Sequence, residues 1–397
     1  MKRLLFTMML FALLNSAFAQ TEDLTGKTAD ELLRLGYNYA MGENGFREDM
    51  TKADECFRAS AQKGNAEAMY LMSLSENISC DEALEWLNKA VEKNFLPAYN
   101  RLSTLYYIGK GNSYQNTCVE VNYEKAFQYA KIAAEGGDDE GQRLYGLYKL
   151  WGTGTTRDED EGVKWLERSG LNNNKGAMMD LKRYYFDKYD YVKYSYWLKK
   201  AAENGIAEAQ YEYGELIYSN EYGLPTMENE ACKWVELAAK QDYVPAFSLV
   251  AWYYRTGKGG VEQNKDKAIA WCRQGINNYN DVNCMWMLSE ILPQNDVERI
   301  ALLKDASAAG HKNSLAEYAY LNVDRKVPDA DPQWGLQVLE SLAEEGVPRA
   351  MARYGCFLYD GEVVKRNKAK GYSLVCKAAE AGDFMGALYK RFIEVNK

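Results

Sequence analysis

The 397 residues carry a formal net charge of −9, one histidine and 7 prolines, with an aromatic fraction of 13%. An acidic chain has no electrostatic footprint for nucleic acid, whose binding rests on neutralising phosphates, and no basic patch for anionic membranes. A single histidine removes His-rich metal sites and His-based triads from consideration, and scarce proline beside abundant Ala, Leu, Glu and Lys favours helices.

Lys2 and Arg3 form a short basic head, Leu4 to Leu14 an apolar stretch broken by Thr7, and Ala17-Phe18-Ala19 an A-x-A cleavage signal. This order predicts a secretory signal peptide over residues 1–19, cleaved before Gln20, and delivery to a bacterial periplasm or the medium. The apolar run is too short to span a bilayer comfortably, no cysteine stands directly after it to carry a lipid anchor, and no later stretch approaches membrane-helix length, so no stable membrane insertion is expected.

From there to the C-terminus one phrase recurs at roughly 36 residues, a solenoid period. Its clearest form is Trp197-Leu198-Lys199-Lys200-Ala201-Ala202-Glu203-Asn204-Gly205 followed by Ala209-Gln210-Tyr211-Glu212-Tyr213-Gly214. The same layout returns at Ala98 to Ser103, Gly141 to Gly146, Ala177 to Lys182, Ala246 to Ala251, Ser314 to Ala319 and Ala350 to Gly355. Second halves read Glu82-Ala83 with Trp86, Lys125-Ala126 with Tyr129, and Glu230-Ala231 with Trp234.

Each unit therefore reads as two antiparallel helices. In the first, the small, large and small slots at i, i+4 and i+5 share one side, where small residues allow close approach. Asn122, Asn264 and Asn367 stand where a cap would accept free N–H groups of the second helix, and closing glycines such as Gly137 and Gly310 suit a left-handed stop. One hairpin cannot bury its apolar face alone, so the units must stack. The expected fold is an all-α, α/α superhelical solenoid of about ten helix-turn-helix repeats over residues 20–382, capped by a helix over 383–397, with first helices lining the inner surface.

The pattern resembles the Sel-1-like repeat family, a tetratricopeptide-like class. Leu35-Gly36-x-x-Tyr39, Gly257-x-Gly259-Gly260-Val261 with Lys267-Ala268-x-x-Trp271, and Ala201-Ala202-x-x-Gly205-x-x-x-Ala209 carry the resemblance. Departures fall in the second unit, which lacks its Gly loop, in an insertion around Ser113 to Val121, and in a shortening around Pro293. The resemblance implies a non-enzymatic scaffold or adaptor for protein partners, without naming one.

Chemistry finds few footholds. Some Sel-1-like proteins are described as penicillin-binding, and Ser60-Ala61-Gln62-Lys63 satisfies S-x-x-K while Ser75-Glu76-Asn77 echoes S-D-N. No K-T-G follows, and Ser60 occupies the small packing slot that Ala134 and Ala202 fill elsewhere. His311 reads as a solvated turn residue. Neither a Cys-x-x-Cys pair nor a calcium loop occurs, so no metal or cofactor is expected. Among the eight cysteines, Cys272 and Cys284 straddle a turn at similar heights and form the candidate disulfide; Cys56 and Cys376 read as buried small residues.

Positions two and six after the Ala slot face away from the packing side and form a row along the expected concave wall. From it, Tyr37, Tyr70, Arg143, Arg183, Tyr211, Trp252, Trp286 and Tyr320 are the candidate partner-binding residues, because aromatic rings and arginines are what peptide grooves display. The leading expectation is an exported scaffold binding a protein or peptide there. The alternative is a periplasmic protein holding glycan or peptidoglycan fragments on the same rings, and a β-lactamase-like hydrolase comes third.

Overall fold

The computed structural model describes residues 24–75, 77–109, 119–219, 222, 227–294 and 296–395. The expected signal peptide and most of the insertion around Ser113 to Val121 lie outside the described residues. Among those described there are 21 helices and no strand. The chain packs as two compact units, Met1–Tyr184 and Tyr185–Lys397.

The first unit contains α1 (Ala29–Met41), α2 (Met50–Gln62), α3 (Ala66–Met72), α4 (Cys80–Glu92), α5 (Leu96–Ile108), α6 (Tyr123–Glu135), α7 (Asp139–Trp151) and α8 (Glu159–Leu171). Then α9 (Lys175–Asp187) carries the chain across into the second unit. There follow α10 (Tyr191–Glu203), α11 (Ala207–Ser219), α12 (Glu228–Ala239), α13 (Val244–Thr256), α14 (Lys265–Tyr279), α15 (Val282–Ile291) and α16 (Val297–Ala308). Last come α17 (Lys312–Val323), α18 (Pro332–Glu344), α19 (Pro348–Asp360), α20 (Lys368–Glu380) and α21 (Phe384–Val395). Partners α1–α2, α3–α4, α5–α6 and α7–α8 pack as hairpins in the first unit; α11–α12 to α19–α20 do so in the second.

The small slots work as close-approach points. A Cβ on Gly146 of α7 would stand 2.8 Å from the Gly162 carbonyl oxygen of α8, and one on Gly162 would stand 2.7 Å from the Gly146 oxygen. Gly355 and Gly371 repeat this crossing between α19 and α20, at 2.9 and 2.6 Å. Beside the first crossing, Leu166 is fully buried, and truncating such a leucine to alanine costs about 2–5 kcal/mol.

Caps set the helix starts. The Asn122, Asn264 and Asn367 side chains accept the N–H of Lys125, Lys267 and Lys370 at 2.9, 2.9 and 3.1 Å. At the closing turns Gly137 takes φ +92°, a conformation in which L-residues are strained. Asn94, Asn173 and Asp242 take the same role with φ between 57° and 69°, since short polar side chains tolerate it best after glycine.

The final helix, α21, packs on α19 and α20 but leaves Phe384, Leu388, Phe392 and Val395 exposed along one stripe.

Candidate functional site

Three successive first helices of the second unit build one groove. From α11 come Tyr211, Glu215 and Tyr218, at i, i+4 and i+7 and so on one face. Helix α13 adds Ser248, Leu249, Trp252 and Tyr253, and α15 adds Asn283, Trp286 and Met287. The groove encloses a volume of about 550 Å³.

The rings hold one another. Tyr218, Trp252 and Tyr253 meet pairwise with centroids 5.3–5.4 Å apart in edge-on geometry, an arrangement favoured by the aromatic quadrupole. Tyr211 packs on Tyr243 at 5.5 Å, and its hydroxyl hydrogen-bonds the Glu215 carboxylate. Burial first, then the charge of Glu215, raises that hydroxyl well above the ordinary tyrosine value. Tyr253 is fully buried, and its hydroxyl has no hydrogen-bond partner. Burial likewise pushes it up.

The groove stops at Trp286 because the wall beyond it is sealed by charge. Glu317 of α17, 2% exposed, receives Arg353 Nη2 at 2.7 and 2.9 Å, Arg299 Nη2 at 2.9 Å and Arg349 Nη1 at 3.3 Å. Arg349 also donates to Asp383 at 2.8 Å and to Glu290 of α15 at 3.1 Å. Burial alone would raise the Glu317 carboxyl, but Arg353 and Arg349 prevail and hold it at about 2. The Arg349 guanidinium backs the Trp286 ring at 5.0 Å and that of Arg353 lies 3.8 Å from the Tyr320 centroid.

Of the residues expected from sequence, Tyr211, Trp252 and Trp286 come together in this groove, whereas Tyr320 is taken up between Arg353 and Phe357. In the first unit Tyr37 donates to Glu67 at 2.6 Å and Tyr70 leans on Phe95 at 5.6 Å. Arg143 is engaged by Asp180 at 2.6 Å and Glu140 at 2.8 Å, so its side chain braces helices rather than facing an open groove. Arg183 is exposed. Tyr218, Leu249, Tyr253 and Met287 were not foreseen; the apolar Leu249 and Met287, both three places after the Ala slot, were the available signal.

Other expectations change. Cys272 and Cys284 do not form the expected bridge: both are free, fully buried thiols. The hydrogen bond that the Cys284 thiol donates to Cys272, then burial and nearby Asp281, all push that thiol far up, suppressing the thiolate that disulfide chemistry needs. Among the described residues, Cys80 is disulfide-bonded. His311 is no solvated turn residue; half-buried, it caps α17, its Nδ1 accepting the Ser314 N–H at 3.1 Å, and burial lowers its value. Ser60 is buried and donates to the Ala29 carbonyl at 2.6 Å, while Lys63 donates to the Lys27 carbonyl, so the S-x-x-K pair ties α2 to the start of α1. Among the described residues no His/Cys/Asp/Glu group could hold a metal, and no helix is long and apolar enough to cross a membrane.

Antiparallel helical hairpins repeated at close-packed glycine and alanine crossings define an α/α repeat solenoid. The chain belongs to the Sel1 repeat family, whose repeat matches residues 32–65, 66–95, 96–138, 139–174, 196–206, 207–243, 248–280 and 348–383. Among curated relatives it is 26% identical over 252 residues to chitin synthase regulatory factor 3 of Schizosaccharomyces pombe, covering 62% of this chain and 24% of that protein. It is 25% identical over 318 residues to the chitin synthase regulator SKT5 of Saccharomyces cerevisiae, covering 75% and 39%. A Neisseria meningitidis protein described as uncharacterized is 28% identical over 194 residues, covering 48% and 40%. The chain thus spans less than half the length of these relatives. Among solved structures, a protective antigen of uropathogenic Escherichia coli displaying an SLR fold is similar at 22% identity, with 94% and 89% of the two chains covered and a TM-score of 0.47. A Sel1 repeat protein from Oxalobacter formigenes is similar at 20% identity, with 96% and 99% covered and a TM-score of 0.39.

Proposed function

We propose that this protein is an exported, non-enzymatic scaffold that holds a protein partner in the groove of its second unit. The observation carrying this reading is the groove itself: five aromatic residues from the first helices of three successive repeats, Tyr211, Tyr218, Trp252, Tyr253 and Trp286, around about 550 Å³ of open space. Aromatic anchors in a preformed concavity are the usual hot spots of peptide and protein recognition. Membership of the Sel1 family supports it, since such repeats commonly serve protein–protein interaction. Two relatives are named as regulators of chitin synthase, a role exercised on another protein. Export rests on the signal-like residues 1–19, and the disulfide at Cys80 suits an oxidising compartment.

The test places a photo-crosslinking amino acid at Ser248, inside the groove, in the full chain expressed in its source cells. A discrete polypeptide cross-linked from Ser248 and lost on Trp252→Ala is expected. Glycan fragments retained by the same groove, with no polypeptide cross-link, would replace the protein partner with the alternative ligand. Fractionation of those cells reads export: the chain is expected outside the cytoplasm, shortened before Gln20.

A further inference from the structure

We propose that the groove of the second unit takes an acidic peptide segment, seating an aspartate or glutamate carboxylate on Arg255 and Lys258 while a neighbouring apolar side chain enters among the rings. This rests on the peptide-binding reading above and gives the partner a chemistry.

Two cations stand at the mouth of the groove, held against its own walls. Arg255, half-buried in the last turn of α13, donates from Nη1 to Met287 Sδ at 3.6 Å. A thioether is a weak acceptor for a guanidinium, which carries five N–H donors. Lys258, exposed in the turn that follows, has its Nζ 5.6 Å from the Trp252 centroid. Met287 and Trp252 both line the groove. Among the described residues neither cation pairs with a carboxylate, whereas Arg273, Arg299, Arg349 and Arg353 of the same unit do.

The helix end does not occupy them. Basic side chains often gather at a helix C-terminus to satisfy its last carbonyls. Here the carbonyls of Trp252, Tyr253, Tyr254 and Arg255 are already taken at 2.7–2.8 Å, by the Thr256 hydroxyl, the Gly257 and Asn264 N–H groups and the Gln263 amide. The turn beyond is pinned as well, since the Gly259 carbonyl accepts the Cys232 N–H at 3.0 Å. The backbone carrying both charges is therefore preorganised, which spares a guest part of the cost of ordering them.

Charge complementarity selects the guest. A carboxylate can take the guanidinium fork with both oxygens, and a second cation at the same mouth adds to the attraction. Counted from the small slot of each helix, Tyr218 of α11 stands level with Arg255, whereas Glu215 stands level with Trp252, nearly a turn away. An acid on Arg255 thus shares its level with a tyrosine and not with another acid. Leu249, Trp252, Trp286 and Met287 leave apolar surface for the residue beside it.

The experiment uses the full chain labelled with 5-fluorotryptophan, with the Trp252 and Trp286 resonances assigned by single Trp→Phe substitutions. It is titrated with acetyl-Ser-Leu-X-Leu-Ser-amide, where X is aspartate, asparagine or lysine. The aspartate peptide is expected to shift both resonances at concentrations about fivefold below those needed for asparagine, with lysine weakest. Arg255→Gln with Lys258→Gln should bring aspartate level with asparagine. Arg255→Glu should turn the preference toward the lysine peptide, a gain that a misfolded variant could not show. Equal binding of the aspartate and asparagine peptides, or an advantage of aspartate that persists in the double variant, would overturn the acidic-segment inference and leave the peptide-binding reading standing. Preference of the unaltered chain for the lysine peptide would do the same. Resonances that move with none of the three peptides would overturn both.

Discussion

Arg353 Nη2 meets both carboxylate oxygens of Glu317, at 2.7 and 2.9 Å, in a part of the second unit where each side chain is at most 6% exposed. Removing one member of such a pair leaves a buried charge without its counterpart. Glu317→Gln and Glu317→Ala are therefore expected to cost about 3–5 kcal/mol of stability. Urea unfolding of the two variants checks this; a change within error would show that the arginines relax to solvent.

The same carboxyl makes the second unit acid-sensitive. Its folded-state value of about 2 lies below the unfolded value of about 4.3, so its stabilisation is complete above the latter and is lost as the pH falls toward the former. Melting temperatures measured from pH 6 down to about pH 2 should fall, and the slope should shrink in Glu317→Gln.

Gly146→Ala tests the helix crossings. Alanine favours a helix over glycine by about 1 kcal/mol, but its Cβ would stand 2.8 Å from the Gly162 carbonyl oxygen. The neighbour is backbone and cannot swing away, so a net loss of about 1–3 kcal/mol is expected by chemical denaturation. A stabilised variant would mean that α7 and α8 can separate at no cost.

Arg143→Ala should weaken the first unit by about 1–3 kcal/mol, because Asp180 and Glu140 lose their shared cation. The measurement is urea unfolding, and it matters for interpretation: lost partner binding in an Arg143 variant would report bracing rather than a contact.

Cys272 and Cys284 are expected to resist iodoacetamide in the folded protein and to react fully in urea, with mass spectrometry counting the adducts. Both are fully buried, and the Cys284 thiolate is strongly disfavoured. A native mass lower by two hydrogens, localised to this pair, would instead establish the bridge.

The repeat was readable because its signal is local. A small residue at Ala209, a ring at Tyr213 and glycine at Gly214 fall within one and a half helical turns, and the caps at Asn122 and Asn264 act three residues away. The groove was readable in part for the same reason, since Tyr211, Trp252 and Trp286 fall at positions two, six and two after the small slot of their units. The sealed wall was not. Arg353 pairs with a residue 36 positions back and Arg349 with one 59 back, so nothing near either arginine announces that it is buried. Tyr320 was misplaced on that account, its face being covered by Arg353. The thiol pair failed differently: spacing brought Cys272 and Cys284 together, but the burial that opposes ionisation of Cys284 belongs to tertiary packing.

The Arg349–Glu290 bond skips a hairpin, running from α19 to α15 over α17. An array whose repeats touch only their neighbours can fray from an end, one hairpin at a time. Here α19 cannot leave without stranding charges in α15 and α17, so the stretch from Val282 to Asp360 is expected to melt as one cooperative block. That block forms the far wall of the groove at Trp286, which gives a surface assembled from separate repeats the steadiness of a single domain.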